Sequence, residues 1–279
     1  MDLNTITAIT RPRQRTDFPA WNAGDAWLAG GTWLFSEPQL KVSRLIDIAD
    51  LGWPALAATK RGLAIAATCK IAELDGVALP PNWTAAPLFN QCCRSFLASF
   101  KIWNMATVGG NLCMSLPAGP MISLTAALDG VCTIWMPDGG ERQVAVTDFV
   151  LAPLHNALKP GELLRAIELP VAALRRRTAF RQISLSPLGR SGALLIGTLS
   201  PDDGAFVLTI TASTPRPVRL QFPRLPSTTA LRAKLEAEIP PRAYYDDVHG
   251  APAWRRQVTL QFAEEIRIEL GGNGSGGSA

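Results

Sequence analysis

Short apolar stretches, broken by polar or turn-forming residues, occupy the first 70 positions of the chain, as is typical of β-strands. We predict strands at residues 5–10, 26–29 and 45–48, and in the last of these apolar and polar side chains alternate. Residues 54–68 contain two apolar arms around Lys60-Arg61-Gly62, which predicts a β-hairpin because Gly62 suits a turn. The N-terminal part is therefore expected to be rich in strands.

The next apolar residues recur with the period of an α-helix. Residues 88–100 predict a helix that ends near Asn104, because their apolar side chains recur on one face. That face consists of Phe89, Cys93, Phe96, Leu97 and Phe100. Residues 121–128 predict a second helix, which Gly130 closes. The N-terminal end of this second helix is expected to favour an anion through its free N–H groups and its dipole.

Strand patterns return after the second helix. Residues 131–146 predict a hairpin around Asp138-Gly139-Gly140, and Pro170 marks the end of a first unit. Residues 171–177 are expected to form a linker, in which the basic triplet Arg175-Arg176-Arg177 is solvated.

The rest of the chain predicts a three-stranded antiparallel sheet covered by two helices. The strands are residues 179–185, 193–199 and 205–211, and the helices are residues 228–238 and 253–268. The tail, residues 271–279, is rich in Gly and Ser and is expected to be disordered.

The composition indicates either a large buried interior or a surface that partner proteins cover. The 279 residues are 47% apolar and only 18% charged, which is below the usual quarter. The net charge is +4, and no basic run is interleaved with aromatic residues, so nucleic-acid binding has no support. We find no signal peptide and no apolar run of about 20 residues, and we expect no membrane span.

Cysteines and histidines suggest no metal site on this chain. The five cysteines include no C-x-x-C pair, which disfavours a disulfide framework or an iron–sulfur ligand set. Free thiols in a reducing cytoplasm are expected instead. His155 and His249 lack the spacing of metal ligands, and no Ser-His-Asp, Cys-His or clustered-carboxylate set is evident. Such a chain suits chemistry that resides in a bound cofactor.

Two glycine turns carry the candidate chemistry. The first glycine turn is residues 28–34 (LAGGTWL), and the second is residues 106–112 (ATVGGNL). Paired glycines allow a ligand to approach the backbone, and successive N–H groups can form a nest for a phosphate or diphosphate. Neither turn fits the dinucleotide fingerprint G-x-G-x-x-G or the phosphate loop of nucleotide hydrolases.

In order along the chain, these turns and three further stretches resemble the flavin-binding medium subunit of the molybdenum hydroxylases, the xanthine dehydrogenase and carbon monoxide dehydrogenase family. Residues 29–32 (AGGT) are similar to a family turn of the same sequence. Residues 106–111 and 116–120 (LPAGP) resemble its "ATVGGN…SPAGD". The other matching stretches are residues 158–170 (LKPGELLRAIELP), 214–219 (TPRPVR) and 250–256 (GAPAWRR).

This resemblance implies an α+β fold with a two-lobed FAD-binding domain of the PCMH/VAO type at residues 1–170. A smaller C-terminal domain of the carbon monoxide dehydrogenase flavoprotein type, with the three-stranded sheet, would follow at residues 178–270. FAD would lie between the two lobes, with its diphosphate on the backbone of both glycine turns. The residues implied in FAD binding are Trp27, Leu28, Ala29, Gly30, Gly31, Thr32, Trp33, Leu34, Leu97, Thr107, Val108, Gly109, Gly110, Asn111, Leu164 and Arg181.

The resemblance also implies partner chains. A large subunit would carry a molybdenum cofactor and oxidise the substrate, and a small subunit would carry two [2Fe-2S] clusters. FAD would pass the electrons to an external acceptor, and the assembly would be a dimer of heterotrimers.

Three residues depart from the family pattern. Trp33 stands where an acidic or small polar residue is common, Trp103 replaces an arginine, and Pro120 replaces an aspartate. In one interpretation a tryptophan stacks on the cofactor and FAD binds in an altered way. In another the indoles fill the cavity, FAD is lost and the chain is a scaffold of the complex. A free-standing ligand-binding protein is a third hypothesis.

Overall fold

The computed structural model describes residues 4–272 of the chain. The first ten strands and α-helices are β1 (Ala8–Thr10), β2 (Asp25–Leu28), β3 (Arg44–Asp47), β4 (Leu56–Thr59), β5 (Gly62–Ala66), α1 (Ile71–Asp75), α2 (Ala86–Ser95), α3 (Phe100–Trp103), α4 (Val108–Met114) and α5 (Pro120–Ala127). They are followed by β6 (Val131–Trp135), β7 (Glu141–Ala145), α6 (Val146–Phe149), β8 (Val150–Ala152), β9 (His155–Asn156), β10 (Leu163–Pro170), α7 (Val171–Leu174), β11 (Arg177–Ile183), β12 (Ala193–Leu199), β13 (Phe206–Thr211), β14 (Val218–Phe222), α8 (Thr228–Glu238) and α9 (Pro252–Gly272). Strands and helices are mixed along the chain, and the predicted α+β class is confirmed.

Two sheets make up the first unit. The N-terminal sheet is parallel, in the order β1-β3-β2, and the central sheet is antiparallel, in the order β4-β5-β10-β6-β7. Ile65 on β5 pairs with Ile167 on β10, which pairs with Cys132 on β6, and all three are fully buried. One face of the central sheet therefore builds the main core, together with helices α1, α2, α4 and α5.

A partly buried ion pair supports the junction of the two sheets. Arg142 donates to both carboxylate oxygens of Glu162, at 2.9 Å from Nε and 2.6 Å from Nη2. The indole Nε1 of Trp27, on β2, donates to the backbone carbonyl of Glu162 at 2.9 Å. Phe18 packs on Trp27 and on Trp135 of β6, so aromatic rings close the same junction.

This ion pair predicts a loss of stability in acid. The hydrogen bonds from Arg142 hold the pKa of the Glu162 carboxyl below its ordinary value. The pair therefore stabilises the fold above the ordinary pKa of about 4.3 and stops doing so as the pH falls through the lower folded-state value. We expect Glu162→Gln to cost about 2 kcal/mol at pH 7 and progressively less below pH 4, measured by urea unfolding. If the difference in unfolding free energy between the wild type and Glu162→Gln stayed constant with pH, this prediction would be contradicted.

Helix α5 has no exposed face. All eight of its residues are buried, as in a helix that is apolar all round. It packs on α2 and α4 and also on strands β12 and β13 of the second unit. Leu194 and Ile196 on β12 thus belong to the same main core as the helices of the first unit.

The C-terminal sheet is antiparallel, in the order β11-β12-β13-β14. Alternate residues of β12 face opposite sides: Leu194 faces the main core, and Leu195 faces a C-terminal core that includes residues of α8 and α9. A sheet that is covered on both faces needs few charged residues, which accounts for the low charge of the composition. The three predicted strands are present, and β14 adds a fourth that the sequence analysis missed.

Three other predictions need correction. The helix predicted at residues 88–100 ends at Ser95, so Leu97 and Phe100 are exposed rather than part of a buried face. The predicted linker forms helix α7 and the start of β11. Its basic triplet is not uniformly solvated, because Arg176 and Arg177 each have a buried nitrogen without a hydrogen-bond partner.

The predicted disordered tail lies outside the described residues, except for Gly271 and Gly272, which end α9. Over residues 4–272, no helix combines the length and the apolar character that crossing a membrane requires.

Candidate functional site

The first glycine turn offers a row of free backbone donors. Within residues 4–272 the structure provides no hydrogen-bond acceptor for the N–H groups of the five successive residues Gly30, Gly31, Thr32, Trp33 and Leu34. Gly31 has φ +68°, a conformation that favours glycine. Successive unpaired N–H groups around such a residue can form a concave anion site. The geometry of this turn therefore suits a diphosphate.

The second glycine turn is different, because most of its donors are already used. It forms the first turn of α4, where Thr107 Oγ1 accepts the N–H of Gly110 at 3.0 Å. The N–H groups of Val108, Gly109 and Asn111 donate to the carbonyls of Cys69, Ala67 and Thr107, at 2.8, 3.0 and 3.0 Å. The backbone nest predicted here is wrong for this conformation, since the turn is hydrogen-bonded to itself and to the segment after β5.

The two glycines of this second turn have separate reasons to lack a side chain. A Cβ at Gly109 would lie 2.4 Å from Ala67 Cβ, so Gly109 permits close packing of α4 on the chain beside it. A Cβ at Gly110 would meet only Thr107 Oγ1, at 3.0 Å. Gly110 therefore faces a space that other protein atoms do not fill.

The structure brings the two turns into contact. A Cβ at Gly30 would lie 1.8 Å from the backbone oxygen of Met105, immediately before the second turn. The ring of Phe35 and the side chain of Leu28 fill the space beside Gly31. The free N–H groups of the first turn and the open side of Gly110 thus belong to neighbouring parts of the fold.

Helix α5 does not provide the anion site predicted at its N-terminus. Pro120, its first residue, has no N–H group, and the N–H of Met121 donates to Asn111 Oδ1 at 3.1 Å. Proline is well tolerated at this position of a helix. Asn111 therefore acts as a cap of α5, and the start of this helix is buried.

Other implied site residues are scattered. Leu97 is 42% exposed in the loop between α2 and α3, whereas Leu164 is 1% exposed within the main core and presents no surface to a ligand. Arg181, on β11, forms ion pairs of 2.8 Å with Glu265 and Glu269 of α9, and the hydrogen bond that it donates to Glu265 raises its pKa. Leu28, Ala29 and Leu34 are half-buried around the first turn.

The two unusual tryptophans have different roles. Trp103 Nε1 donates to the carbonyl of Phe96 at 3.0 Å, and its ring packs against the main core. This bond holds the loop that interrupts the predicted helix. Trp33 is half-buried in the first turn, and its carbonyl accepts the N–H and the hydroxyl of Ser36.

Sequence reasoning missed a cation–aromatic cluster beside the sheet junction. The guanidinium of Arg165 lies 4.1 Å from the ring centre of Trp53, and that of Arg15 lies 4.6 Å from the ring of Trp135. The two indoles meet edge to face at 5.3 Å. No spacing in the sequence indicates this cluster, because its members come from four separate segments.

Burial leaves the cysteines unreactive as nucleophiles. All five are free, and desolvation raises the pKa of Cys69, Cys93 and Cys113 to about 12. In the part of the chain that the structure describes, no group of His, Cys, Asp and Glu side chains could hold a metal ion.

Comparison with known proteins agrees with this architecture. Caffeine dehydrogenase subunit beta of Pseudomonas sp. (strain CBB1) is 32% identical over 98 residues, 35% of this chain and 33% of that protein. The carbon monoxide dehydrogenase medium chain of Afipia carboxidovorans is 29% identical over 106 residues, 37% of this chain and 36% of that protein. The chain thus spans about a third of the length of these two curated relatives.

Solved structures match over nearly the whole chain. Quinoline 2-oxidoreductase from Pseudomonas putida 86 has a TM-score of 0.78 and 17% identity, covering 98% of this chain and 99% of that one. Reconstituted CO dehydrogenase from Oligotropha carboxidovorans has a TM-score of 0.78 and 20% identity, covering 96% and 99%. At these identities the likeness shows the fold.

The family model described as the FAD binding domain in molybdopterin dehydrogenase matches residues 16–172, more than half of the chain and both glycine turns. The chain therefore belongs to this family of FAD-binding domains of molybdopterin dehydrogenases.

Proposed function

We propose that this chain is the FAD-binding electron-transfer subunit of a multi-subunit, molybdenum-containing hydroxylase or dehydrogenase. The observation that carries the proposal is the row of five unpaired N–H groups in the first glycine turn. These donors suit a diphosphate, the part of FAD that a protein can bind through its backbone alone. Membership of the FAD-binding family makes FAD the diphosphate to expect.

Each part of the proposed FAD site has a distinct task. The N–H groups of residues 30–34 hold the diphosphate, and the open side of Gly110 leaves room for the cofactor. Leu97, exposed on the loop between α2 and α3, offers apolar surface to a ring. Asn111 and Thr107 position the helices beside the proposed site, since their side-chain oxygens cap α5 and α4.

Bound FAD would supply redox chemistry, because it accepts electrons singly and can donate them in pairs. This chain offers no evident side-chain catalyst, so its contribution is to position and shield the cofactor.

We place substrate oxidation on a large partner with a molybdenum cofactor, and two [2Fe-2S] clusters on a small partner. The names of the relatives, a subunit beta and a medium chain, support a complex of several subunits. We propose that this complex is a cytoplasmic dimer of heterotrimers. Within the chain, we assign residues 1–170 to FAD binding and 178–270 to the C-terminal domain.

A flavinless scaffold is the second candidate. It is favoured by the second glycine turn, most of whose N–H groups are satisfied within the protein, and by Pro120, which has neither carboxylate nor N–H. Under this hypothesis the indole of Trp33, together with that of Trp103, fills space that FAD takes in the first proposal.

Cofactor content separates the two candidates. The intact complex is purified, and its visible absorbance and the FAD released on denaturation are measured per copy of this chain. One FAD per chain supports the first proposal, whereas a colourless subunit supports the scaffold. A chain that is soluble and stable as a monomer, without partners, would count against both.

Gly110→Val tests the open side of the second turn. Its side chain would occupy the space that we assign to FAD, so we expect flavin content to fall at least tenfold, with little loss of stability. Gly76→Val is the matched control, because a Cβ at Gly76 meets only the carbonyl oxygen of Ala72 at an ordinary 3.5 Å. Flavin content and melting temperature are measured for both variants. Full flavin content in Gly110→Val would remove this part of the argument.

A further inference from the structure

Lys70, the residue before α1, lies beside the second glycine turn. It pairs with Thr107 in an isolated antiparallel bridge. Backbone hydrogen bonds of 3.0 and 2.8 Å join the residues on either side of this pair, so the two residues themselves form a non-hydrogen-bonded pair. Opposite side chains in such a pair point to the same side, with Cβ atoms about 4.5–5.5 Å apart. The side chains of Lys70 and Thr107 are therefore neighbours.

The contacts of Thr107 show which side of the bridge this is. Its Oγ1 accepts the N–H of Gly110 at 3.0 Å, and it is also the atom that a Cβ at Gly110 would meet. Thr107 is buried, whereas Lys70 is exposed. The flexible stem of Lys70 thus carries its ammonium group past Thr107, on the side where Gly110 faces open space.

The first glycine turn borders the same segment of chain. A Cβ at Gly30 would lie 1.8 Å from the backbone oxygen of Met105 and 3.2 Å from the Cα atom of Ala106. Ala106 directly precedes Thr107, the bridge partner of Lys70. Consecutive Cα atoms are about 3.8 Å apart, so the row of free N–H groups begins only a few residue lengths from Lys70.

The ammonium group of Lys70 is available to a ligand. In the described part of the chain it forms no ion pair. The carboxylate of Glu73 accepts the backbone N–H of Lys70 at 2.7 Å, which holds this carboxylate at the start of α1 without an ion pair to the ammonium group. Neutralising the side chain of Lys70 would therefore break no ion pair of the protein.

The proposed FAD site otherwise lacks a free positive charge. A diphosphate carries full negative charges, whereas backbone N–H groups supply only partial positive ones. The residues implied in FAD binding include one basic residue, Arg181, which forms ion pairs with Glu265 and Glu269 of α9. A lysine ammonium group acts as a point charge that binds phosphate oxygens well.

We propose that Lys70 is a further FAD-binding residue, whose ammonium group pairs with the diphosphate on the first glycine turn. This inference rests on the function proposed above. The second turn then contributes the open side of Gly110 and the charge of its bridge partner, in place of its own N–H groups. Because the pair lies at the surface, dissolved salt screens it.

Rebinding of FAD to the purified complex tests this role. Bound flavin is removed with concentrated potassium bromide, and the dissociation constant of added FAD is measured by fluorescence at low and at high ionic strength. We expect Lys70→Met to weaken FAD binding about tenfold at low ionic strength, since it removes one charge-assisted contact. At high ionic strength the difference from the wild type should shrink toward zero. Lys70→Arg, which keeps the charge, should bind FAD nearly as the wild type does.

Lys60→Met is the matched control, because Lys60 is an exposed lysine in the turn between β4 and β5. An affinity of Lys70→Met equal to that of this control overturns the inference. A loss that persists unchanged at high ionic strength, or that Lys70→Arg shares, also overturns it, since packing rather than charge would then be responsible. In these cases the wild type still binds FAD and the proposed function stands. A wild-type complex that binds no FAD overturns both.

Discussion

Gly30→Ala is expected to disrupt both the fold around the glycine turns and the binding of FAD. The added Cβ would lie 1.8 Å from the backbone oxygen of Met105, where no flexible side chain can move aside. One of the two turns must shift, and we expect this to cost about 3 kcal/mol of unfolding free energy. Because the free N–H row begins at the same residue, flavin content should fall to a small fraction of that of the wild type.

The matched control for this variant is Gly76→Ala, which adds the same methyl group in ordinary contact with its surroundings. Urea unfolding gives the stability of both variants, and FAD released per chain gives the occupancy. Wild-type stability in Gly30→Ala would show that the two turns do not touch as described. Reduced stability with full flavin content would separate the packing of the turns from cofactor binding.

Arg255→Met is expected to cost about 4 kcal/mol of stability, since one partner of a buried ionic network is removed. The guanidinium is 1% exposed and donates to the carbonyls of Gly250 and Gly192 at 2.8 and 2.7 Å. It also bonds the carbonyl of Ala212 and the carboxylate of Asp247. Methionine would fill much of the volume but leave these acceptors buried and unpaired.

The adjacent Arg256 provides the control for this prediction. It pairs with Glu236 at 2.8 Å near the surface, so Arg256→Met should cost less than about 1 kcal/mol. Both variants are measured by urea unfolding at pH 7. Equal effects of the two substitutions would show that the buried network does not stabilise the C-terminal core.

The sequence predicted the positions of helices and strands better than it predicted which backbone N–H groups are free. Paired glycines marked the first turn correctly, because a missing side chain is visible in the sequence, but the second pair lies in α4, a helix that the sequence did not predict. The use of the second-turn N–H groups was not visible, since their acceptors at Ala67 and Cys69 lie about forty residues upstream. Only tertiary structure distinguishes a turn with free N–H groups from one whose N–H groups are already paired.

The break in the predicted helix at residues 88–100 has a similar cause. The apolar period continues past Ser95, but Phe96 leaves the helix, and its carbonyl accepts the indole N–H of Trp103. No proline or glycine marks this break. A side chain seven residues away holds it, which local periodicity cannot detect. β14 was missed because proline and basic residues surround its short apolar pattern.

Because α5 is enclosed by both units, truncating the chain between them would expose it. A fragment that stopped at residue 172, where the family match ends, would lack β12 and β13 and bare the apolar side of α5 that packs on them. Such a fragment would tend to aggregate, although it contains both turns assigned to the cofactor. The flavin-binding half therefore depends on the other half for its solubility, and grafts or truncations should retain both.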